Sequence, residues 1–486
     1  MPCSWIRQTT RVLCGPAIVA AIALAACPAG ASANTNPCAT TTATSAMTSS
    51  NQSACWQPFT ASSPINTALP SNPALASDNS AVGQHMAQYG WHFGDSTSGF
   101  SFSESDGTRP VYFGSSSDPV MTIDCTNEEG PNTCQGANGI NVNGAQVHVP
   151  AGAQPGNNWD AHMIIVETAT GEEYDLWHVT ISGNTITSGT GSVLNVNTSN
   201  GLGSSGDAAG LALTAGLLRP SELASGYINH ALVIDVPCTD ATGANVGYSY
   251  PATAGWGEAC GDYWNESTTG APTIGQLFKL NMTATQIANS GAPTWEQTIM
   301  TALATYGAYA EDTNGSWHSE NITIFSQDPT SFTSVGQTDQ WNTAINQLGG
   351  HNGTLTSSIP IPVSDLVTVN PCVAQGTCPN ATGPTPTPTP TTPTAPVSTT
   401  TPTGATPTST TAGASETSTT TSTTSTQTNA ATTTPATTAS VPARTAASIH
   451  HRHRSISAAR RARLARARHD RKRTAAARHR RHARRA

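Results

Sequence analysis

Between residues 109 and 237 the apolar positions fall in short segments, and nearly every segment is bounded by Gly, Asn, Asp or Pro. "RPVYFG", "VMTIDC", "INVNGAQVHVP", "HMIIVET", "EYDLWHVTIS", "NTITSG" and "YINHALVIDVP" are rich in β-branched residues and too short for helices. They predict β-strands. Many short strands between turn signals predict a mainly β body, an antiparallel β-sandwich or jelly-roll-like domain with a few short helices. Helical spacing surfaces in two places. "RPSELASG" suits one or two turns, with Pro220 early and Gly226 closing. "TWEQTIMTALATYGAY" sets Ile299, Leu303 and Tyr306 on one face behind a Thr294 cap.

Polarity divides the rest of the chain. Residues 1–33 read as an export signal, with Arg7 and Arg11 ahead of a small-residue apolar stretch. Two processing outcomes compete: cleavage after "ASA" at Ala33, or lipidation at Cys27 in "LAAC", a bacterial lipobox pattern. A Ser/Thr-rich lead-in at 34–82 precedes a globular β-rich domain at 83–370 and a Cys-containing terminal loop at 371–381. The Thr/Pro/Ser tract at 382–448 has too little apolar surface to offset its ordering entropy, so it predicts a disordered linker. An Arg/His-rich basic tail, 449–486, ends the chain.

Charge sharpens this division. From Asn34 to Ala443 the only basic residues are Arg109, Arg219 and Lys279, against 28 acids; from Arg444 onward there are 16 Arg or Lys and one acid, Asp470. An acidic body on a basic tail predicts attraction of the tail to anionic cell-envelope polymers, without specific nucleic acid recognition. No transmembrane helix is expected once the signal is removed. Eight cysteines follow Cys27, and an even number in an exported chain predicts disulfides; the simplest pairing joins Cys38 to Cys55, Cys125 to Cys134, Cys238 to Cys260, and Cys372 to Cys378.

"RPVYFGSSSDPVMTIDC", "DAHMIIVETATGEEYDLWHV", "GLGSSGDAAGLALTAGLLRPSELASGYINHAL" and "WEQTIMTALATYGAYAEDTNG" resemble, in that order, blocks of a largely uncharacterised family of secreted proteins from soil actinobacteria. The resemblance spans roughly residues 105–330. It implies one exported domain and transfers no activity.

No G-x-S-x-G, H-E-x-x-H, Walker or Rossmann pattern occurs, so no cofactor and no metal is expected. A body with so few cations disfavours an anionic substrate, whereas a neutral polysaccharide cut by paired carboxylates carries no such penalty. The expected function is therefore an exported or cell-surface glycan-active enzyme. The alternative is a non-catalytic carbohydrate-binding or adhesive domain anchored through its basic tail.

The densest candidate chemistry lies in "NNWDAHMIIVETATGEEYDLWHV", residues 157–179, a strand–turn–strand with two histidines and five carboxylates. If its loop centres on Thr170, His162 faces His178, and Ile164 and Val166 share a face with Tyr174 and Leu176. If the loop takes Thr168 to Gly171, the parity flips and His162 and Ile164 share a face with Asp175 and Trp177. The catalytic candidates are Asp160, His162, Asp175, His178 and Asp207, the last in the Gly-rich "GLGSSGDAAG", where an Asx turn is the plainer role. Substrate-binding candidates are Trp177, Trp256, Tyr263 and Trp264, which offer rings for sugar faces, and Arg219, for which pairing with a nearby carboxylate is the plainer role. His230 shares a strand face with Ile228, Leu232 and Ile234, which suits a hydrogen-bonded core histidine.

Overall fold

The computed structural model describes residues 37–378, except 39, 95–98, 102–107, 241–246, 264–265, 315–320, 352–353 and 357–359. The export signal, the linker and the basic tail lie outside the described residues. Within them the body is rich in sheet, as expected, with several sheets and few helices.

A six-stranded sheet runs in the order β1 (His92–Phe93), β15 (Asn321–Ile324), β12 (Leu232–Val236), β14 (Ala308–Thr313), β13 (Leu277–Leu280), β18 (Leu366–Val369). A four-stranded sheet orders β11 (Thr190–Asn195), β8 (Glu172–Trp177), β7 (Met163–Glu167) and β4 (Val111–Gly114). Another four-stranded sheet orders β6 (Gln146–His148), β5 (Val120–Cys125), β10 (Thr185–Ser188) and β9 (Thr180–Ser182). Two short pairs complete the set: β3 (Thr108–Arg109) with β16 (Ser326–Gln327), and β2 (Gly99–Ser101) with β17 (Thr354–Thr356).

Side-chain alternation explains how the sheets share their cores. On β7, Ile164 and Val166 join a cluster with Val233, Leu277 and Tyr309 of the six-stranded sheet. The alternate residues Met163 and Ile165 join Ile123, Val147 and Ile186 of the second four-stranded sheet. The sheet carrying β7 is thus buried on both faces, which is why its sequence reads as an unbroken apolar run. Leu232, Ile234 and Val236 of β12 pack the other way, against Trp295, Ile299 and Leu303 of the Thr294–Thr305 helix.

The pairing is mixed rather than purely antiparallel. β4 runs parallel to β7, β5 to β10, β12 to β14 and β1 to β15. Parallel neighbours need long crossovers, and here these pass through other elements: β4 reaches β7 by way of β5 and β6, and β12 reaches β14 through β13 and the Thr294–Thr305 helix. Strand-by-strand patterning carries no information on such direction.

Of the two expected helices, one changes in detail. The Pro220–Ser225 helix ends at Gly226 in the left-handed region, φ 71°, as its sequence suggests. The Thr294–Thr305 helix, however, has Pro293 at its N-cap and Thr294 inside its first turn. The lead-in is also not peripheral, since Met47, Trp56, Phe59 and Ile65 lie in the cluster that contains Ile164 and Val166. All four sequence-adjacent disulfides are formed, with Cα–Cα separations of 4.7–5.8 Å. Such bridges suit an oxidising environment. No helix among the described residues is long and apolar enough to cross a membrane.

Candidate carboxylate site

The hairpin of residues 157–179 takes the flipped register. Met163 pairs with Leu176 and Ile164 with Asp175, so the loop is the four-residue Thr168–Gly171. Beyond the paired residues, His178 N–H donates to Asp160 O at 2.8 Å and Val179 N–H to Ala161 O at 3.1 Å. Ala161 (φ 44°) and His178 (φ 59°) both occupy the left-handed region, which L-residues enter at a cost. That strained end of the hairpin carries Asp160, His162 and Trp177.

A bulge supplies the facing acids. β12 and β14 pair Ile234 with Ala310 and then Asp235 with Asp312, which leaves Glu311 as the extra residue. Tyr309 faces the sheet carrying β7 and Glu311 follows it by alternation. Past the bulge Asp312 also turns toward this group, where it interacts electrostatically with Asp160, Glu258, Arg109 and Asp235.

Arg109 sits beneath them, 1% exposed, its Nη1 donating to Glu311 Oε1 at 2.7 Å and its guanidinium 4.0 Å from the Phe325 ring centroid. Burial opposes the Arg109 charge, but Glu311, Asp207 and Asp235 outweigh it and hold the group protonated. Asp207 arrives on the Gly-rich loop. Its Oδ1 accepts the Ala209 and Gly210 amides, an Asx turn, while its carboxyl also comes within hydrogen-bonding reach of Glu311. Burial and then the Glu311 charge raise the Asp207 pKa well above the usual carboxylate range. Burial and then Asp312 do the same to Asp235, and burial and then Asp160 to Asp312.

His162 Nε2 lies 3.1 Å from the Gly206 carbonyl, so Nε2 carries the hydrogen and Nδ1 is the bare acceptor. Burial and the neighbouring Arg109 push its pKa down to about 4, so the ring is neutral near pH 7. At the rim, Trp177 Nε1 donates to Asp160 Oδ1 at 2.9 Å. The His178 ring packs 4.6 Å from Trp177 and 5.6 Å from Trp159, and its Nδ1 lies 2.8 Å from Glu128 Oε2. On the Asp207 side, Trp256 N–H donates to Ala208 O at 3.1 Å, and Glu258 Oε2 accepts from Thr313 Oγ1 at 2.8 Å. Trp159 is 43% exposed and Trp256 36%.

Of the sequence candidates, Asp160, His162 and Asp207 thus come together, with Trp177, His178 and Trp256 beside them. Asp175 is fully buried, accepts Ser204 Oγ at 2.8 Å and lies within hydrogen-bonding reach of Glu173. It underlies the Asp207 loop: a Cβ added at Gly206 would come 2.9 Å from Asp175 Cβ, so only glycine lets the loop lie this close. Arg219 is buried elsewhere, paired with Glu222 and bonded to the Ser53 and Trp56 carbonyls. Burial works against the Glu222 charge, but Arg219 and then His230 hold its pKa down at about 2. His230 Nε2 is 2.9 Å from Glu222 and its Nδ1 2.8 Å from the Ala231 carbonyl, a satisfied core histidine. Trp264 and the Tyr263 side chain lie outside the described residues.

Comparison with protein-family models, with curated proteins and with solved structures finds no match. Function has to be read from the side chains themselves.

Sequence reasoning missed Arg109, Asp235, Glu258, Glu311 and Asp312. Two signals were present: Arg109 is one of only three cations in the body, and Glu311–Asp312 sets two acids side by side at the end of an apolar strand. The crowding has a measurable consequence. Asp235 is 4% exposed, and its Oδ1 has no hydrogen-bond partner among the described residues. Its folded pKa is raised, so the stability it contributes is complete below the ordinary aspartate value of 3.8 and is lost as pH rises toward the folded value. Asp235→Asn is expected to raise the thermal unfolding temperature at pH 7, with the gain vanishing below about pH 4. Equal gains at both pH values would show that the carboxylate is not under electrostatic stress.

Proposed function

We propose that the body is an exported glycoside hydrolase acting on a polysaccharide that lacks acidic groups. The observation that carries this reading is the gathering of Asp207 and Glu311 around the buried Arg109, flanked by the half-buried acids Asp160, Glu258 and Asp312. Asp207, protonated above the usual carboxylate range, gives its proton to the glycosidic oxygen as that bond breaks. Asp160, oriented by the Trp177 indole, supplies the second carboxylate on the sugar side. Trp159 and Trp256 present rings to the sugar faces.

Release of reducing ends from a panel of neutral polysaccharides, run beside a glycan array, tests the proposal. Saturable binding with no release anywhere would favour the alternative of a non-catalytic carbohydrate-binding or adhesive domain, a role the exposed tryptophans would also serve. Absence of both would remove glycans from consideration.

The basic tail is proposed to hold the protein on anionic envelope polymers. Deleting residues 449–486 is expected to release it from cells, as is high salt on the intact chain. Retention through both treatments would point to lipidation at Cys27.

A further inference from the structure

Away from the carboxylate site, one buried cluster combines donors of three chemical kinds. His85, on the Asn79–Tyr89 helix, is 3% exposed and lies between the rings of Tyr89 and Trp91, at 4.6 and 5.2 Å. Facing it are Cys238, just after β12, Cys260, at the start of a short helix, and Glu266. The ligand atoms of these four side chains all lie within 4.8 Å of one another.

The separations resemble those of a tetrahedral zinc site. His85 Nε2 is 3.4 Å from Glu266 Oε2 and 3.8 Å from Cys260 Sγ, and Cys238 Sγ is 3.4 Å from Glu266 Oε2. Zinc bonds of about 2.0–2.3 Å imply tetrahedron edges of roughly 3.3–3.8 Å. The Cys238–Cys260 edge is shorter, because those two are joined by a disulfide, and the remaining two edges are at most 4.8 Å. Opening that bond lets the sulfurs part to an ordinary edge length while the other donors stay in place. Thiolate, imidazole and carboxylate donors together suit zinc rather than magnesium or calcium.

We infer that the Cys238–Cys260 disulfide and a bound zinc-class ion are alternative closures of this one site, the metal being held by His85, Cys238, Cys260 and Glu266 when the disulfide is reduced. A dithiol reductant delivers two electrons and two protons to the Cys238–Cys260 bond and itself becomes a disulfide. The metal then displaces both thiol protons to solvent. The metal closure also ties the His85 helix to the loop, a link that the disulfide alone does not make.

Co²⁺ titration of the full chain, reduced anaerobically with a phosphine, tests this. Expected are thiolate charge-transfer absorption and tetrahedral visible bands from a Co²⁺ ion that Zn²⁺ displaces, with no such bands in the oxidised chain. Cys238→Ser with Cys260→Ser should remove these bands, and His85→Ala or Glu266→Gln should weaken binding at least tenfold. Near-UV circular dichroism of the oxidised Glu266→Gln chain establishes that this variant is folded, so it decides the matter should His85→Ala misfold. Absence of bands in the reduced chain would overturn the inference. So would bands that survive unchanged in the double Cys variant, or unchanged affinity in Glu266→Gln.

Discussion

Asp207→Asn is expected to reduce glycan hydrolysis by about 10³-fold in kcat without lowering the unfolding temperature. Asparagine keeps the Oδ1 acceptor that closes the turn over Ala209 and Gly210, so the loop retains its shape. What it loses is the transferable proton. The companion variant, Glu311→Gln, separates this role from simple repair of packing. Glu311 carries the charge that raises the Asp207 pKa, and removing it leaves Arg109 pulling the same pKa down. The high-pH limb of kcat/KM should therefore shift to lower pH in Glu311→Gln, because Asp207 gives up its proton earlier. Reducing-end kinetics across pH check both variants. Wild-type turnover in Asp207→Asn, or a limb that moves upward in Glu311→Gln, would exclude Asp207 as the acid.

Arg109→Met is expected to be the most destabilising single change at this site, by about 3–5 kcal/mol. The guanidinium is almost wholly enclosed, and it is the counter-charge to a Glu311 that is itself fully buried. Without it Glu311 must either stay charged and unpaired in the interior or take up a proton, while Asp207 and Asp235 lose the same compensation. Methionine preserves much of the packing on Phe325, so the loss reports charge rather than volume. Adding Glu311→Gln to Arg109→Met should recover part of the loss, since the uncompensated charge is then gone. Denaturant unfolding of the two variants measures both effects. If Arg109→Met were neutral, the ion pair would not be organising the site.

How much of this was legible in the chain differs from element to element. The cysteines could be paired because couples close in sequence need only short loops to meet. β7 announced itself by its apolar run, and the hairpin could be narrowed to two registers, but choosing between them depended on whether the turn took three residues or four. Asp207 was noticed because glycines surround it, whereas Asp235 was hidden inside "LVIDV", a segment that reads as plain core. Glu311 and Asp312 could not both be assigned to one face, since strict alternation sends neighbours to opposite sides. Arg109 is separated from Glu311 by 202 positions, and no local pattern bridges that distance. The polar composition of residues 34–82 likewise concealed Trp56 and Phe59, whose few large rings fill core space that the later strands leave open.

The bulge in β14 acts as a phase slip in the reading frame of a strand. Ahead of it the odd-numbered residue Tyr309 points to the sheet carrying β7; beyond it the even-numbered Asp312 joins the acids on that same side. The strand can therefore deliver two consecutive acids to one place, which ordinary pleating forbids. Any kindred sequence using the same device should carry, opposite its β12 counterpart, one surplus residue and a pair of adjacent carboxylates. Deletion of Glu311 alone would restore regular pairing, satisfy any test of sheet formation, and leave Asp312 as the single acid that this strand sends to that side.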